Sequence, residues 1–451
     1  MANVVFELMR SAGARVLVLP ISGVCSLATT AVAIDYGGID SYAAISVVLA
    51  IALLLPFADL GLGAGVINAY SDGRGPDDRR DLLASTVRLL VLSASLLVVA
   101  AILVSVFVSW SRLFGFSEEP PTPSGIEGAI VLAVVIFAIS VPLGVGQRIL
   151  IGIGKNHYVV FAGAITSVVT LLVVVVVSVA GLPSAFMAVA AAVGVLVSSL
   201  VMLRLAWSSI DLRFADLIDR RRRARGVLSL GAYMLCVSCF LAILFQSGRL
   251  IISHLCDDYQ LASYSIAMQL YLPAVSILGS AGFALWPMFA GRRGRASTGG
   301  VSQVSFTKLV GIMVALGSAG CIALVFVLPL VSRVVSGHSV DPPLSLGLGV
   351  GALLVAQSAQ VVPGMYLTDL AGMRFQAVCA ILAATSAVLL GVYVAGPFGA
   401  TGVVFATAAA VFLFQAAPST VRMWLRERSL RYGPSSGALN VDLSLTSKGG
   451  K

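Results

Sequence analysis

Ile149-Leu150-Ile151-Gly152-Ile153-Gly154-Lys155-Asn156-His157-Tyr158 stands between two long apolar stretches. About 215 to 222 residues later the chain meets the same situation with Tyr366-Leu367-Thr368-Asp369-Leu370-Ala371-Gly372-Met373-Arg374-Phe375. Two more pairs share that offset: Ser41-Tyr42-Ala43 with Ser263-Tyr264-Ser265, and Ala180-Gly181 through Ala191 with Ala395-Gly396 through Ala406. Each match is weak alone, because small residues are common in apolar segments. The shared offset is the signal. A chain built as two similar halves within a membrane is the usual form of a transporter whose substrate site lies between them.

Composition names the solvent. Of 451 residues, 59% are hydrophobic and 11% charged, with a mean hydropathy of +1.01; a soluble domain carries roughly 25% charged residues. Twelve stretches are long enough to cross about 30 Å of hydrocarbon: 16–34, 42–68, 87–109, 128–147, 158–180, 184–207, 227–251, 262–289, 308–331, 344–368, 376–395 and 400–424. Helices are required, since a lipid-facing backbone must satisfy its own hydrogen bonds. The expected fold is an all-α polytopic membrane protein of twelve transmembrane helices.

The charges set an orientation. With the N-terminus in the cytoplasm, 26 of the 29 Lys and Arg fall on cytoplasmic segments, Arg112 and Arg333 fall outside, and Arg249 lies within a span. The outer segments hold Asp35, Asp40, Glu118, Glu119, Glu127, Asp257, Asp258 and Asp341. The positive-inside rule then places both termini in the cytoplasm. Six spans per half is an even number, so the halves share one orientation, related by an axis along the membrane normal. The halves are 1–207 and 227–424, joined by a basic cytoplasmic linker at 208–226 and followed by a cytoplasmic tail at 425–451, read as disordered.

The net charge of +9 sits where topology demands it. Arg220-Arg221-Arg222-Arg223 is the one dense cluster, read as a topology anchor or a contact to anionic membrane lipids. No aromatic residues interleave with it, which argues against nucleic acid. Arg10 and Arg15 ahead of an apolar run ending in Ala31-Val32-Ala33 have the spelling of a signal peptide. The repeat needs that run as span 1, partner of span 7, so it is retained. Cys236-x-x-Cys239 lies on an apolar helix without flanking ligands and reads as buried small residues. Phosphate-loop and HExxH motifs are absent, and His157, His254 and His338 all lie near loops. No ATP-driven or enzymatic chemistry is indicated, and no cofactor.

Against this background, Tyr36-Gly37 through Leu55-Pro56-Phe57-Ala58-Asp59-Leu60-Gly61-Leu62-Gly63 resembles the second-span signature of the Wzx-type polysaccharide-biosynthesis flippases, members of the multidrug/oligosaccharidyl-lipid/polysaccharide exporter (MOP) superfamily. Gln147 to Lys155 resembles their span 4 to 5 connection. Tyr264-Ser265-Ile266-Ala267-Met268-Gln269 through Leu285-Trp286-Pro287 resembles their eighth span, and Gly396-Pro397-Phe398-Gly399-Ala400-Thr401-Gly402 their last outer turn. The resemblance covers nearly the whole chain. It implies two six-helix bundles in a V, alternating access, and translocation of a lipid-linked saccharide from inner to outer leaflet, with a polysaccharide polymerase or glycosyltransferases as partners. Many relatives carry fourteen spans where this chain has twelve.

Polar residues inside spans mark candidate sites. In span 7, Ser238, Gln246 and Arg249 share a stripe; span 1 has Ser22, Ser26, Thr29 and Thr30 at a similar rhythm, and span 10 has Gln357 and Gln360. In lipid such residues turn inward, either to line a central cavity or to join helices. Arg249 stands about 33 Å from the cytoplasmic start of span 7 at 1.5 Å per residue. It either snorkels to the outer surface or meets the pyrophosphate of a lipid carrier, for which a guanidinium offers paired donors. Arg15 is its inner counterpart, or a topology charge. Asp59 opens a Gly-rich break; it binds a coupling cation or caps the helix. Pro20, Pro56, Pro142, Pro273 and Pro287 are candidate hinges. A cation-coupled multidrug exporter is the alternative, yet such a protein needs acids at mid-membrane and this chain has none there.

Overall fold

A computed structural model describes residues 2–51, 61–72, 75–107, 126–209, 227–296, 306–336 and 341–432. Every regular element among them is helical: α1 (Ala2–Ile51), α2 (Gly63–Ser71), α3 (Pro76–Phe107), α4 (Ile126–Leu143), α5 (Val145–Gly152), α6 (Asn156–Val179), α7 (Ala190–Trp207) behind a 3-10 turn (Ser184–Val189), α8 (Val227–Leu255), α9 (Asp258–Ala296), α10 (Phe306–Ser336), α11 (Leu344–Tyr366), α12 (Leu370–Val411), a π turn (Phe412–Ala416) and α13 (Ala417–Tyr432). Asp59, Pro56, Arg112, the Arg220–Arg223 cluster with linker residues 210–226, and the tail beyond residue 432 lie outside the described residues.

Ten helical stretches among the described residues are long and apolar enough to cross a membrane. The difference from twelve has local causes. Span 42–68 is divided between the end of α1, undescribed residues and α2. Spans 376–395 and 400–424 fall in one stretch, Leu370–Ser429. That stretch is two helices joined across a sharp kink at Gly399, a non-helical residue (φ 55°, ψ −147°) within the expected turn at 396–399. The bend frees the Ala400 N–H, which donates to Gln260 Oε1 at 2.8 Å, and a Cβ on Gly399 would overlap that same Gln260 side chain. By contrast, α1 runs unbroken through Gly37-Gly38, where the hydropathy reading places a turn; no proline there removes a helical hydrogen bond.

The tail reading also changes. Residues 425–432 continue α13, because the helix docks on the start of α12: Arg422 lies 4.3 Å over the Phe375 ring, Arg426 Nη1 sits 2.9 Å from Asp369 Oδ1, and the Tyr366 hydroxyl donates to buried Glu427 at 3.0 Å.

Buried apolar side chains gather into one large cluster drawn from residues 33–206 and another from 244–423. Small residues let helices approach closely in the first. A Cβ at Gly146 would stand 2.5 Å from Leu203 Cα, and one at Gly194 2.6 Å from Thr166 O, the close packing that holds helices together where lipid gives no hydrophobic drive. A third, smaller cluster mixes the two sets: Ala64, Ile67 and Ile151 pack with Trp286, Ala290 and Met373. Arg79, Arg80, Arg148, Lys155, Arg374, Arg422 and Arg426 flank that layer, which defines a basic end of the molecule. Glu127, Asp257 and Asp341 mark the opposite, acidic end.

Candidate functional site

The two mirrored segments quoted first are both helix breaks at the basic end. α5 ends at Gly152 and α6 starts at Asn156; α11 ends at Tyr366 and α12 starts at Leu370. A helix end leaves carbonyls without intrahelical donors, and here those carbonyls are used for assembly. Ser71 Oγ donates to Gly152 O at 2.9 Å. Gln376 Nε2 donates to Gly364 O at 3.1 Å and Leu367 O at 2.8 Å. Asn68 Nδ2 reaches Thr368 O at 2.7 Å, which joins residues from before and after the linker.

That last bond belongs to a seam between the halves. Trp286 Nε1 donates to Asn68 Oδ1 at 2.9 Å, Asn156 Nδ2 to Ser280 O at 3.0 Å, and Arg15 Nε to Ser276 Oγ at 3.2 Å. Gly61 (φ 66°) turns against the start of α8, where a Cβ would stand 2.5 Å from Gly231 O and 2.6 Å from Leu235 N. Beside the seam, Arg79 lies 5.7 Å over the Tyr70 ring, and burial pushes the Tyr70 phenol up to about 12 against the opposing pull of Arg79 and Arg80. At the acidic end the contacts Tyr36 to Leu182 O, Tyr259 to Asp341 O and Ser345 to Thr401 each stay within one half.

Immediately above the seam, a cavity of about 210 Å³ opens among α8, α9, α11, α12 and the π turn. Its polar residues are Gln357, Gln360, Thr368, Gln376 and Gln415; Met234, Phe283, Trp286, Met365 and Met373 supply apolar walls. Gln357, Gln360 and Gly364 recur on one face of α11, and Thr368 follows in the break after it. The π turn Phe412–Ala416 carries Gln415, which is buried; such turns insert an extra residue and are frequent at functional sites. None of the described lining residues is charged.

The structure thus brings Gln357 and Gln360 together with three polar groups the sequence reading missed. Gln376 stands at the edge of its span and Gln415 is isolated in a span; only Gln415 carried a readable signal, a lone amide in an apolar run. The remaining candidates lie elsewhere. α8 meets the cavity through Met234, Val237 and Leu241, a face beside the Ser238 stripe. Gln246 and Arg249 are exposed toward the acidic end, where Gly248 abuts the Tyr264 hydroxyl. On α1, Ser22 and Thr30 are half-buried, Ser26 is exposed, and Thr29 is buried and donates to Cys25 O at 2.7 Å. That bond lies within α1 itself, so it satisfies the Thr29 hydroxyl without joining α1 to another helix.

Comparison with known proteins places this arrangement. Among solved structures, similar chains include an outward-facing multidrug-resistance MATE-family transporter of the MOP superfamily, with TM-score 0.75 and 13% identity over 94% of this chain and 96% of that one. A MATE transporter in the straight conformation has TM-score 0.69 and 13% identity over the same shares. A MOP-superfamily transporter from Pyrococcus furiosus, described as having a binding pocket of reverse polarity, has TM-score 0.65 and 13% identity over 94% and 96%. Identity this low shows the fold alone, and the fold is that of MOP transporters. No curated protein matches the chain in sequence. Residues 38–291, more than half of the chain, match the model for polysaccharide biosynthesis proteins, and the chain belongs to that family.

Proposed function

We propose that this protein is a flippase that moves a polyprenyl-pyrophosphate-linked oligosaccharide from the inner to the outer leaflet of the plasma membrane by alternating access, for synthesis of a cell-surface polysaccharide. The family match over residues 38–291 carries this reading. The positive-inside rule supports assigning the basic end, with both termini, to the cytoplasm. On that assignment the seam is a closed cytoplasmic gate and the state is outward-facing. Two six-helix bundles, 1–207 and 227–424, are the moving bodies, a division supported by the two separate cores.

Roles follow from position. Arg249, exposed near the outer end of α8, is assigned to the carrier pyrophosphate on the outer side, and Arg15, half-buried in the inner part of α1, to the same group on the inner side. The lack of charge among the described cavity residues favours a saccharide over a cationic drug, which would need an acid to offset its desolvation.

Deleting the gene tests the reading. Lipid-linked saccharide should accumulate on the inner leaflet, surface polysaccharide should be lost, and drug tolerance should barely change. Intact polysaccharide with a broad rise in sensitivity to cationic drugs would select a multidrug exporter instead.

A further inference from the structure

We propose that the cavity bounded by α8, α9, α11, α12 and the π turn is a binding site for a single neutral sugar ring. That the ring belongs to transported cargo rests on the flippase reading; the chemistry of the site does not.

The first support is a deficit of donors. Gln357 Oε1 and Gln360 Oε1 are both buried without a hydrogen-bond partner. A buried acceptor left unmade costs about 1–3 kcal/mol, so two of them on side chains that line one cavity call for a donor that a small rotation of the amide can reach. Gln376 is already fixed in place through both Gly364 O and Leu367 O, so part of the polar wall is organised before anything binds. The second support is neutrality. With no carboxylate among the described lining residues, a metal cation would lose its hydration without compensation, and with no Lys or Arg a phosphate would fare no better. Hydroxyl or acetamido groups donate without carrying charge.

Shape agrees with chemistry. A sugar ring has polar edges and apolar C–H faces, and here amides on α11 and α12 face walls built from Trp286, Phe283 and methionines. The volume of about 210 Å³ is many times the roughly 10–15 Å³ of such space that one water needs, which leaves room for a single ring. Gly279 keeps the space open: a Cβ built there meets nothing within 4 Å. Trp286 and Thr368 line the cavity and also hold Asn68 of the opposite half. A ring in this site therefore touches two of the residues that close the seam.

Titration of free sugars tests the site. In purified full-length protein with Trp110, Trp207 and Trp424 changed to Phe, Trp286 is the remaining indole. Glucose, galactose, mannose and N-acetylglucosamine would be added separately, with sodium chloride against choline chloride as the cation probe. At least one sugar should give a saturable change in Trp286 emission, weakened about tenfold or more in Gln357→Leu/Gln360→Leu and abolished in Gly279→Leu. Gly279→Leu fills open space on a helix, so its thermal midpoint should match the parent and separate blocking from misfolding. No response to any sugar, a response unchanged in both variants, or a response to sodium alone would overturn the proposal. If emission responds while gene deletion leaves polysaccharide intact, the flippase reading falls and the sugar site stands; the opposite pair of results removes the site alone.

Discussion

The Trp286 indole N–H lies 2.9 Å from Asn68 Oδ1, and the two residues are 218 positions apart in sequence. Both are almost wholly buried, and Asn68 also holds Thr368 O. One asparagine therefore ties the second helix of the chain to α9 and to the break after α11. Opening the basic end requires these bonds to separate together.

Asn68→Ala should loosen that end. It leaves the Trp286 N–H and Thr368 O without this partner, a penalty of about 1–3 kcal/mol in the closed state, and each 1.4 kcal/mol shifts a two-state equilibrium tenfold. In a cysteine-free background, Ile67→Cys, buried in the seam, should react with a permeant maleimide about tenfold faster or more when Asn68→Ala is added. An unchanged rate would mean that the pair does not gate this end.

Gly61 and Gly279 should answer alanine in opposite ways. Gly61→Ala forces a side chain into a positive-φ position and onto the backbone of Gly231 and Leu235, which costs strain of about 1–3 kcal/mol before the clash is counted. Gly279→Ala adds a methyl to empty space in a helix interior and should gain about 1 kcal/mol. Thermal unfolding in detergent should show Gly61→Ala well below wild type and Gly279→Ala level with it or above.

Much of this was legible because membrane helices are written in long apolar runs and breaks in a mirrored offset. Both breaks, at 153–155 and 367–369, appear where the repeated segments stand. The turn at 396–399 was legible in its Gly and Pro spelling, but not its form: two helices meet at Gly399 with a single non-helical residue, and the bond from Ala400 to Gln260 fixes the bend. Of the cavity, Gln357 and Gln360 were visible as amides one turn apart. Gln376 was not, because its partners are carbonyls freed by the end of another helix. The seam was unreadable in principle, since nothing around Asn68 signals a tryptophan in the other half.

Arg249 separates binding from anchoring. Arg249→Ala should abolish saccharide export at normal protein level, and Arg249→Lys should keep part of it, since a point charge retains attraction but loses the fork. Export near wild type in Arg249→Ala, with insertion confirmed, would mark a snorkelling anchor.

Topology is open to direct labelling. Cysteines placed at Ser297 and Ser436 should resist a membrane-impermeant thiol reagent in intact cells, whereas one at Ser124 should react. Labelling of Ser297 from outside would reverse the assignment of every later segment.

The most direct measurement places purified protein in vesicles that carry a labelled polyprenyl-pyrophosphate oligosaccharide and follows its access to an impermeant glycosidase. The account predicts that the protected half of the label becomes cleavable with wild-type protein and stays protected when Asn156→Cys and Ser280→Cys are cross-linked across the seam, where the native contact is 3.0 Å. Label that stays protected with active wild-type protein, while a cationic dye crosses the same membrane, would contradict it.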